Sequence, residues 1–365
     1  MTGRTTDESR RLAKRLAEEI SRLAVRPIRL MEVCGSHTVA IFKAGLRQLL
    51  PAQVELVSGP GCPVCVTPNE YLDTAVAYSR QPGVIIATFG DMLRVPGSSS
   101  SLAAAKMAGA DIRIIYSPLE SLDIAAANPT KTVIFLAVGF ETTAPTAAAT
   151  ILAAEQAGLA NWFALSAHKL VPPALRALLE AGGTRIDGLI LPGHVSAVIG
   201  EAPYRFLAEE YRMPAVIAGF EPLEILQAVH SLARWLRLGE PRLANQYRRV
   251  VKPEGNPVAR AVLGRVYGEA DAAWRGLGVI PASGLVVRKE YQRFDARRKI
   301  PVEPEAAREP DGCRCGEVLR GMISPEACLL FRQACRPENP VGSCMVSAEG
   351  ACAAWYKYGS GRWQG

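Results

Sequence analysis

No stretch of the 365-residue chain approaches the roughly 18 consecutive apolar residues that a membrane-spanning helix requires, so no membrane association is expected. Met1 to Ser21 is not expected to act as an export signal, being studded with Arg, Lys, Asp and Glu and having no apolar core. Nor is this the composition of a disordered chain, because 49% of the residues are hydrophobic and 21% charged, as in proteins that bury a core. These absences point to the cytoplasm. There, nine cysteines read as thiols or metal ligands and not as a disulfide framework.

Charge is unevenly placed. The net charge is +7, yet residues 231–300 hold 15 Lys/Arg against 6 Asp/Glu, an excess larger than that of the whole chain. No nucleic-acid motif accompanies the basic residues, which are scattered through sequence of helical character. A solvated helical face or a docking surface for an acidic partner suits this pattern better than a nucleic-acid surface.

The length suggests two or three domains. Leu12, Leu16, Ile20 and Leu23 recur at helical spacing within 6–25. Short apolar runs then alternate with stretches that can be helices: 28–33, 54–57, 84–88, 112–116, 132–138, 162–166, 188–191 and 215–218. Such alternation predicts βαβ units in parallel sheets buried on both faces. The two sets of four resemble each other. Cys34-Gly35-Ser36-His37 answers to Gly139-Phe140-Glu141-Thr142, Phe89-Gly90-Asp91 to Pro192-Gly193-His194, and Pro118-Leu119-Glu120 to Pro222-Leu223-Glu224, at offsets of 105, 103 and 104. A near-constant offset predicts a duplicated Rossmann-like α/β domain, 28–128 followed by 129–232. Residues 1–27 and 233–365 form a third, mainly helical and irregular region that carries six of the cysteines.

Open α/β sheets hold ligands at the carboxyl ends of their strands, and the polar motifs fall there. Cys34 closes the first run ahead of a helix-like stretch, where the helix dipole favours a thiolate and His37 lies close enough to pair with it. After the second run, Gly59-Pro60-Gly61-Cys62-Pro63-Val64-Cys65 presents a C-x-x-C pair, which binds metal or cycles between dithiol and disulfide. With Cys34 it makes three soft thiols at neighbouring strand ends, suited to iron, zinc or copper(I), and we favour a metal with redox coupling over a thioredoxin-like pair. Asp91, Arg94, Glu141, Thr142, His168 and His194 also fall at strand ends; Glu141 and the histidines are candidates for holding or protonating a ligand.

The last 53 residues contain Cys313, Cys315, Cys328, Cys335, Cys344 and Cys352, with 12 residues between Cys315 and Cys328, six between Cys328 and Cys335 and sixteen between Cys335 and Cys352. Paired C-x2-C spacing is absent, so a zinc ribbon fits badly. An iron–sulfur cluster accepts thiolates from separate loops. Spacing does not choose four ligands from six.

Together, Cys-Gly-Ser-His-Thr (34–38), Gly-Pro-Gly-Cys-Pro-Val-Cys (59–65), Phe-Gly-Asp-Met-Leu-Arg-Val-Pro-Gly (89–97), Gly-Phe-Glu-Thr-Thr-Ala-Pro (139–145) and Pro-Gly-His-Val-Ser (192–196) resemble the motifs of the hydrogenase maturation factor HypD family. The tail, from Cys315-Gly316-Glu317-Val318 to Glu349-Gly350-Ala351-Cys352-Ala353-Ala354-Trp355-Tyr356, resembles it too, so the likeness spans about 28–358. The resemblance implies a scaffold on which the iron of a NiFe-hydrogenase site receives two cyanides and one carbon monoxide. It implies HypC as partner in holding the iron, HypE as transient cyanide donor, and the hydrogenase large-subunit precursor as the indirect recipient. By the same resemblance Cys34, Cys62 and Cys65 hold iron, Cys315, Cys328, Cys335 and Cys352 hold a 4Fe–4S cluster, and Cys313 and Cys344 are accessory. His37, Glu141 and His194 are then expected to position or protonate incoming ligands. The competing expectation is an iron–sulfur thiol–disulfide oxidoreductase acting on a protein substrate.

Overall fold

The eight apolar runs become strands that, with a ninth that no run announced, form two parallel sheets. In chain order they are β1 (Ile28–Glu32), β2 (Val54–Ser58), β3 (Val84–Thr88), β4 (Asp111–Ile114), β5 (Thr132–Ala137), β6 (Trp162–Ser166), β7 (Gly188–Pro192), β8 (Ala215–Ala218) and β9 (Leu243–Asn245). This computed structural model describes residues 6–183 and 185–359. The outermost parts of the third region, 1–5 and 360–365, and position 184 lie outside the described residues. One sheet has the order β2-β1-β7-β8-β9 and the other β4-β3-β5-β6, with every pair parallel. Every residue of β3 and β7 is buried, as strands covered by helices on both faces must be.

The sheets do not follow the division into 28–128 and 129–232. Each half of the repeat gives two strands to each sheet: β1 pairs with β7 through Leu30↔Gly188, and β3 with β5 through Val84↔Thr132. Exchanging β1–β4 with β5–β8 turns one four-strand order into the other, so the duplication is present with its halves interleaved. The repeated Pro-Leu-Glu motifs do the same work in both copies. The Glu120 carboxylate accepts from the Ser117 N–H (2.9 Å) at the start of helix Glu120–Ala127, and the Glu224 carboxylate accepts from the Glu221 N–H (3.1 Å) at the start of helix Pro222–Leu238. Each glutamate reaches back three residues to a backbone donor that the helix leaves free.

The third region also differs from expectation. Strand β9 belongs to the first sheet. Helix Thr6–Leu23 packs Ile20 into the core of that sheet against Val229 and Leu232, and its Glu19 meets His230 at 3.1 Å. In place of continuous helix after 266 there is an antiparallel hairpin, β10 (Tyr267–Trp274) and β11 (Gly278–Val287). Its turn places Gly276 at φ +77°, and a Cβ there would stand 2.3 Å from the Gly316 Cα, so glycine is required on both counts. The hairpin turn is thereby pressed onto helix Cys315–Leu319. The basic stretch 231–300 is partly neutralised by local ion pairs, among them Arg249–Glu224 (2.9 Å), Arg293–Glu155 (3.3 Å) and Arg297–Glu70 (3.2 Å). No helix among the described residues is long and apolar enough to cross a membrane.

Candidate functional site

The cysteine motifs meet at the carboxyl end of the first sheet. Cys34 is the N-cap of helix Gly35–Lys43, and Cys62 caps the helical turn Pro63–Val66. The two turns are back to back: the Gly35 N–H donates to the Gly61 carbonyl at 3.0 Å, and a Cβ on Gly61 would lie 2.2 Å from the Cys34 nitrogen. Only glycine at 61 permits this approach.

A buried acid organises the Cys34 turn. Glu32 ends β1 and accepts the Cys34 N–H at 3.1 Å and the Thr38 hydroxyl. Burial pushes its carboxyl up to about 7 against these bonds. From the other side, the tail brings Glu349, whose Oε1 accepts the Ser36 hydroxyl at 2.6 Å. The expected thiolate at the helix start is not what this environment favours. Although the Ser36 and His37 N–H groups face Cys34, burial first and the Glu349 charge second push its thiol up to about 12.

His37 does not pair with Cys34 through its ring. It is fully buried, its Nε2–H donates to the Gly219 carbonyl at 2.8 Å, and burial holds it down to about 4. Its ring stacks on Phe220 at 4.6 Å, and the exposed His194 stacks on Phe220 at 4.2 Å. His194, not His37, is the imidazole that a ligand can reach. His168 is buried, bonded through Nδ1 to the Ser166 hydroxyl (3.3 Å) and held down to about 3 by burial, so it is a neutral structural residue. Glu141 is buried beside the start of helix Val171–Glu180, and its Oε1 accepts the Val171 N–H at 2.9 Å. Asp91 is half-buried and Thr142 partly so; the exposed Arg94 fastens the Val346 carbonyl at 3.3 Å and so ties the tail to the second sheet.

Cys62 and Cys65 are buried and joined as a disulfide. In this form they offer no thiolate beside Cys34, and two-electron reduction is needed to expose the three-thiol set. Behind them lies the second cysteine group. All six tail cysteines line one small cavity, closed by Val318, Leu330, Phe331 and Met345. Cys315 Sγ stands 2.7 Å from Cys344 Sγ, and Cys335 Sγ accepts the Val341 N–H at 3.4 Å. Cys315 is the thiol held toward the anionic form, first by Cys313, then by Cys344, with Arg275 adding its charge. Among the described residues no three His, Cys, Asp or Glu side chains stand in the arrangement of a formed metal site. The donor set nevertheless suits a cluster: six thiols around one cavity with apolar walls.

Two bridges connect the cysteine groups. Ser343, fully buried, donates from Oγ to the Cys65 carbonyl at 2.9 Å and lies 3.9 Å from Cys315 Sγ. Arg275, in the hairpin turn, gives its backbone N–H to the Val66 carbonyl (2.9 Å), its Nε–H to the Thr67 carbonyl (3.0 Å) and its Nη2 to Asn69. Sequence reading missed Glu32, Glu349, Arg275 and Ser343. An acid inside the apolar run 28–33 is the signal for Glu32; the other three depend on tertiary packing.

A family model described as "Hydrogenase formation hypA family" (HypD) matches residues 10–359. The chain is 48% identical over 361 residues to a protein of Azotobacter chroococcum mcd 1 named hydrogenase expression/formation protein HupD, covering 97% of this chain and 95% of that one. It is 47% identical to the hydrogenase maturation factor HypD of Rhodobacter capsulatus over 95% of this chain and 94% of that protein, and 47% identical to that of Escherichia coli K12 over 97% and 96%. With that coverage at both ends, the chain belongs to the HypD family of hydrogenase maturation factors.

Proposed function

We propose that this protein is the platform on which the iron of a NiFe-hydrogenase site acquires two cyanides and a carbon monoxide, in the cytoplasm, with HypC sharing the iron and HypE delivering cyanide. The observation that carries this reading is the junction of the two cysteine groups, where one buried serine touches both the C-x-x-C turn and Cys315. Cys315, Cys328, Cys335 and Cys352 are the residues assigned to hold a 4Fe–4S cluster, which supplies single electrons when bound. Reduction of the Cys62–Cys65 bond takes two electrons and two protons and frees two thiols next to Cys34. Iron is the cargo, and soft thiolates suit it. A cation at Cys34 offsets the burial and the Glu349 charge that otherwise keep this thiol protonated. His194, exposed and stacked on Phe220, is the group to which we assign donation to an incoming ligand.

Cys34→Ala should abolish the iron–carbonyl and iron–cyanide infrared bands of an anaerobic HypC complex; bands of wild-type intensity would sink the proposal. Substituting each tail cysteine with Ser should remove cluster iron and its visible absorbance at 315, 328, 335 and 352, with smaller effects at 313 and 344. Loss at 344 but not at 352 would reassign the fourth ligand.

The disulfide itself favours one rival, a thiol–disulfide oxidoreductase. Against it, Cys62 and Cys65 are 3% and 0% exposed, which closes them to attack by a substrate protein. Multiple turnover with a dithiol protein and no bound diatomics would favour that rival.

A further inference from the structure

The turn between β10 and β11 carries a charge that the polypeptide around it does not fully answer. Arg275 stands there between Trp274 and the obligatory Gly276, and its side chain is only 1% exposed. Its Nε–H and Nη2 are taken up by the Thr67 carbonyl and by Asn69, but Nη1 is buried without a hydrogen-bond acceptor. Glu309 Oε2 lies 3.8 Å from Nη1, yet that side chain is 60% exposed, so water screens its charge. Arginine does not shed its proton inside proteins, and a buried charge is costly unless a counter-charge shares its surroundings. The fold keeps this one nonetheless.

Its place between the two cysteine groups points to the counter-charge. On one side the backbone N–H and the guanidinium of Arg275 are bonded to the residues that end the C-x-x-C turn, Val66, Thr67 and Asn69. On the other side Gly276 is pressed against Gly316, and the Arg275 charge acts on the sulfur of Cys315. Cys315 lines the cavity that all six tail thiols share. Thiolates around an iron–sulfur core bring net negative charge into such a cavity, and each electron added to the core increases it. The charge that the polypeptide leaves unanswered is therefore of the sign that a reduced cluster calls for.

We propose that Arg275 is a positioning residue whose buried charge stabilises the reduced form of the tail cluster and so sets the potential at which electrons become available to the Cys62–Cys65 bond. Arg275 is not among the assigned ligands, and its role rests on the cluster proposed above. The cluster takes one electron at a time from a one-electron reductant; two such transfers and two protons convert the disulfide to two thiols. Because Val66, Thr67 and Asn69 already hold the guanidinium, its charge needs no rearrangement when an electron arrives. Glu309, at the surface, trims the effect without cancelling it.

The test is an anaerobic, dye-mediated redox titration of the cluster-reconstituted full chain, followed by visible absorbance and electron paramagnetic resonance. Arg275→Met removes the charge and should make reduction about tenfold less favourable, which lowers the midpoint potential by about 59 mV for a one-electron couple. Arg275→Lys keeps the charge but not the planar fork, and should stay nearer the wild type than Arg275→Met. Glu309→Gln should shift the potential the other way, by about twofold in the reduction constant. Opposite shifts from the two members of one ion pair are a signature of charge that a merely structural residue would not give. An unchanged potential in Arg275→Met overturns the proposal and leaves the cluster assignment standing, and so does a Lys variant as low as the Met variant. If Arg275→Met does not fold, Glu309→Gln decides, and a potential that does not rise overturns the proposal. A wild type that binds no cluster overturns both this proposal and the assignment on which it rests.

Discussion

Glu141 and Glu32 are carboxyls placed where water does not reach, and their ionisation therefore competes with folding. Burial raises each to about 7, above the ordinary 4.5. The folded chain then holds protons that the unfolded chain releases between about pH 4.5 and 7. Stability falls as pH rises through that window, because the native state binds the greater number of protons there. His37 and His168, held down to about 4 and about 3, act oppositely: the unfolded state takes up their protons first, so their part of the stability falls as pH drops below about 6.5. Glu141→Gln removes one titration and keeps the bond to Val171. The variant should match the wild type near pH 4 and exceed it at pH 8 by up to roughly 3 kcal/mol, read from urea denaturation at both pH values. An equal difference at the two pH values would contradict the assignment. None of these environments is legible from the residue alone. In sequence His37 and His194 were the favoured candidates and His168 a lesser one; packing left His194 exposed, His37 bonded to a carbonyl and His168 to a serine.

Elements were far more legible than their partners. Runs 84–88, 162–166 and 215–218 became strands at those residues, and the other five agreed within two residues at either end, because a strand buried on both faces shows as an uninterrupted apolar run. The hairpin β10–β11 was missed because Tyr267–Trp274 carries Gly, Glu, Asp and three Ala, poor material for a strand, and holds its shape by pairing with β11 and by Trp274 bonding Ser283 (2.8 Å). Its turn, Arg275-Gly276-Leu277-Gly278, was the available signal. The same logic governs the cysteine turns. Their loops were recognisable by composition, but the back-to-back contact that makes Gly61 obligatory joins residues 27 positions apart. Gly61→Ala should force the Cys34 backbone aside and cost roughly 1–3 kcal/mol. A denaturation midpoint equal to wild type would show that the two turns can separate freely.

At the scale of the molecule, interleaving decides what can fold alone. The repeat was visible as a constant offset, and strands of each copy were expected to pair among themselves; parallel strands, however, choose neighbours by burial, and sequence order does not dictate which. A fragment 28–128 contains β1 through β4, but those strands fall into two sheets as the pairs β2-β1 and β4-β3. Each pair is missing its inner neighbour, β7 or β5, and with it a central edge whose residues are buried in the full chain. Two-strand parallel pieces do not bury enough apolar surface to offset chain entropy. Expressed alone, 28–128 and 129–232 should therefore lack cooperative unfolding and amide protection, whereas co-expressed halves should associate and recover both. Cooperative unfolding of isolated 28–128 would mean that the copies can still close on themselves. The cysteine site depends on the same interleaving, since Cys34 and Cys62 come from the first copy and Phe220 and His194 from the second, at the ends of four strands that share one sheet. Under the iron-holding role proposed for Cys34, separation of the copies should accordingly abolish iron binding even in a fragment that carries all three thiols.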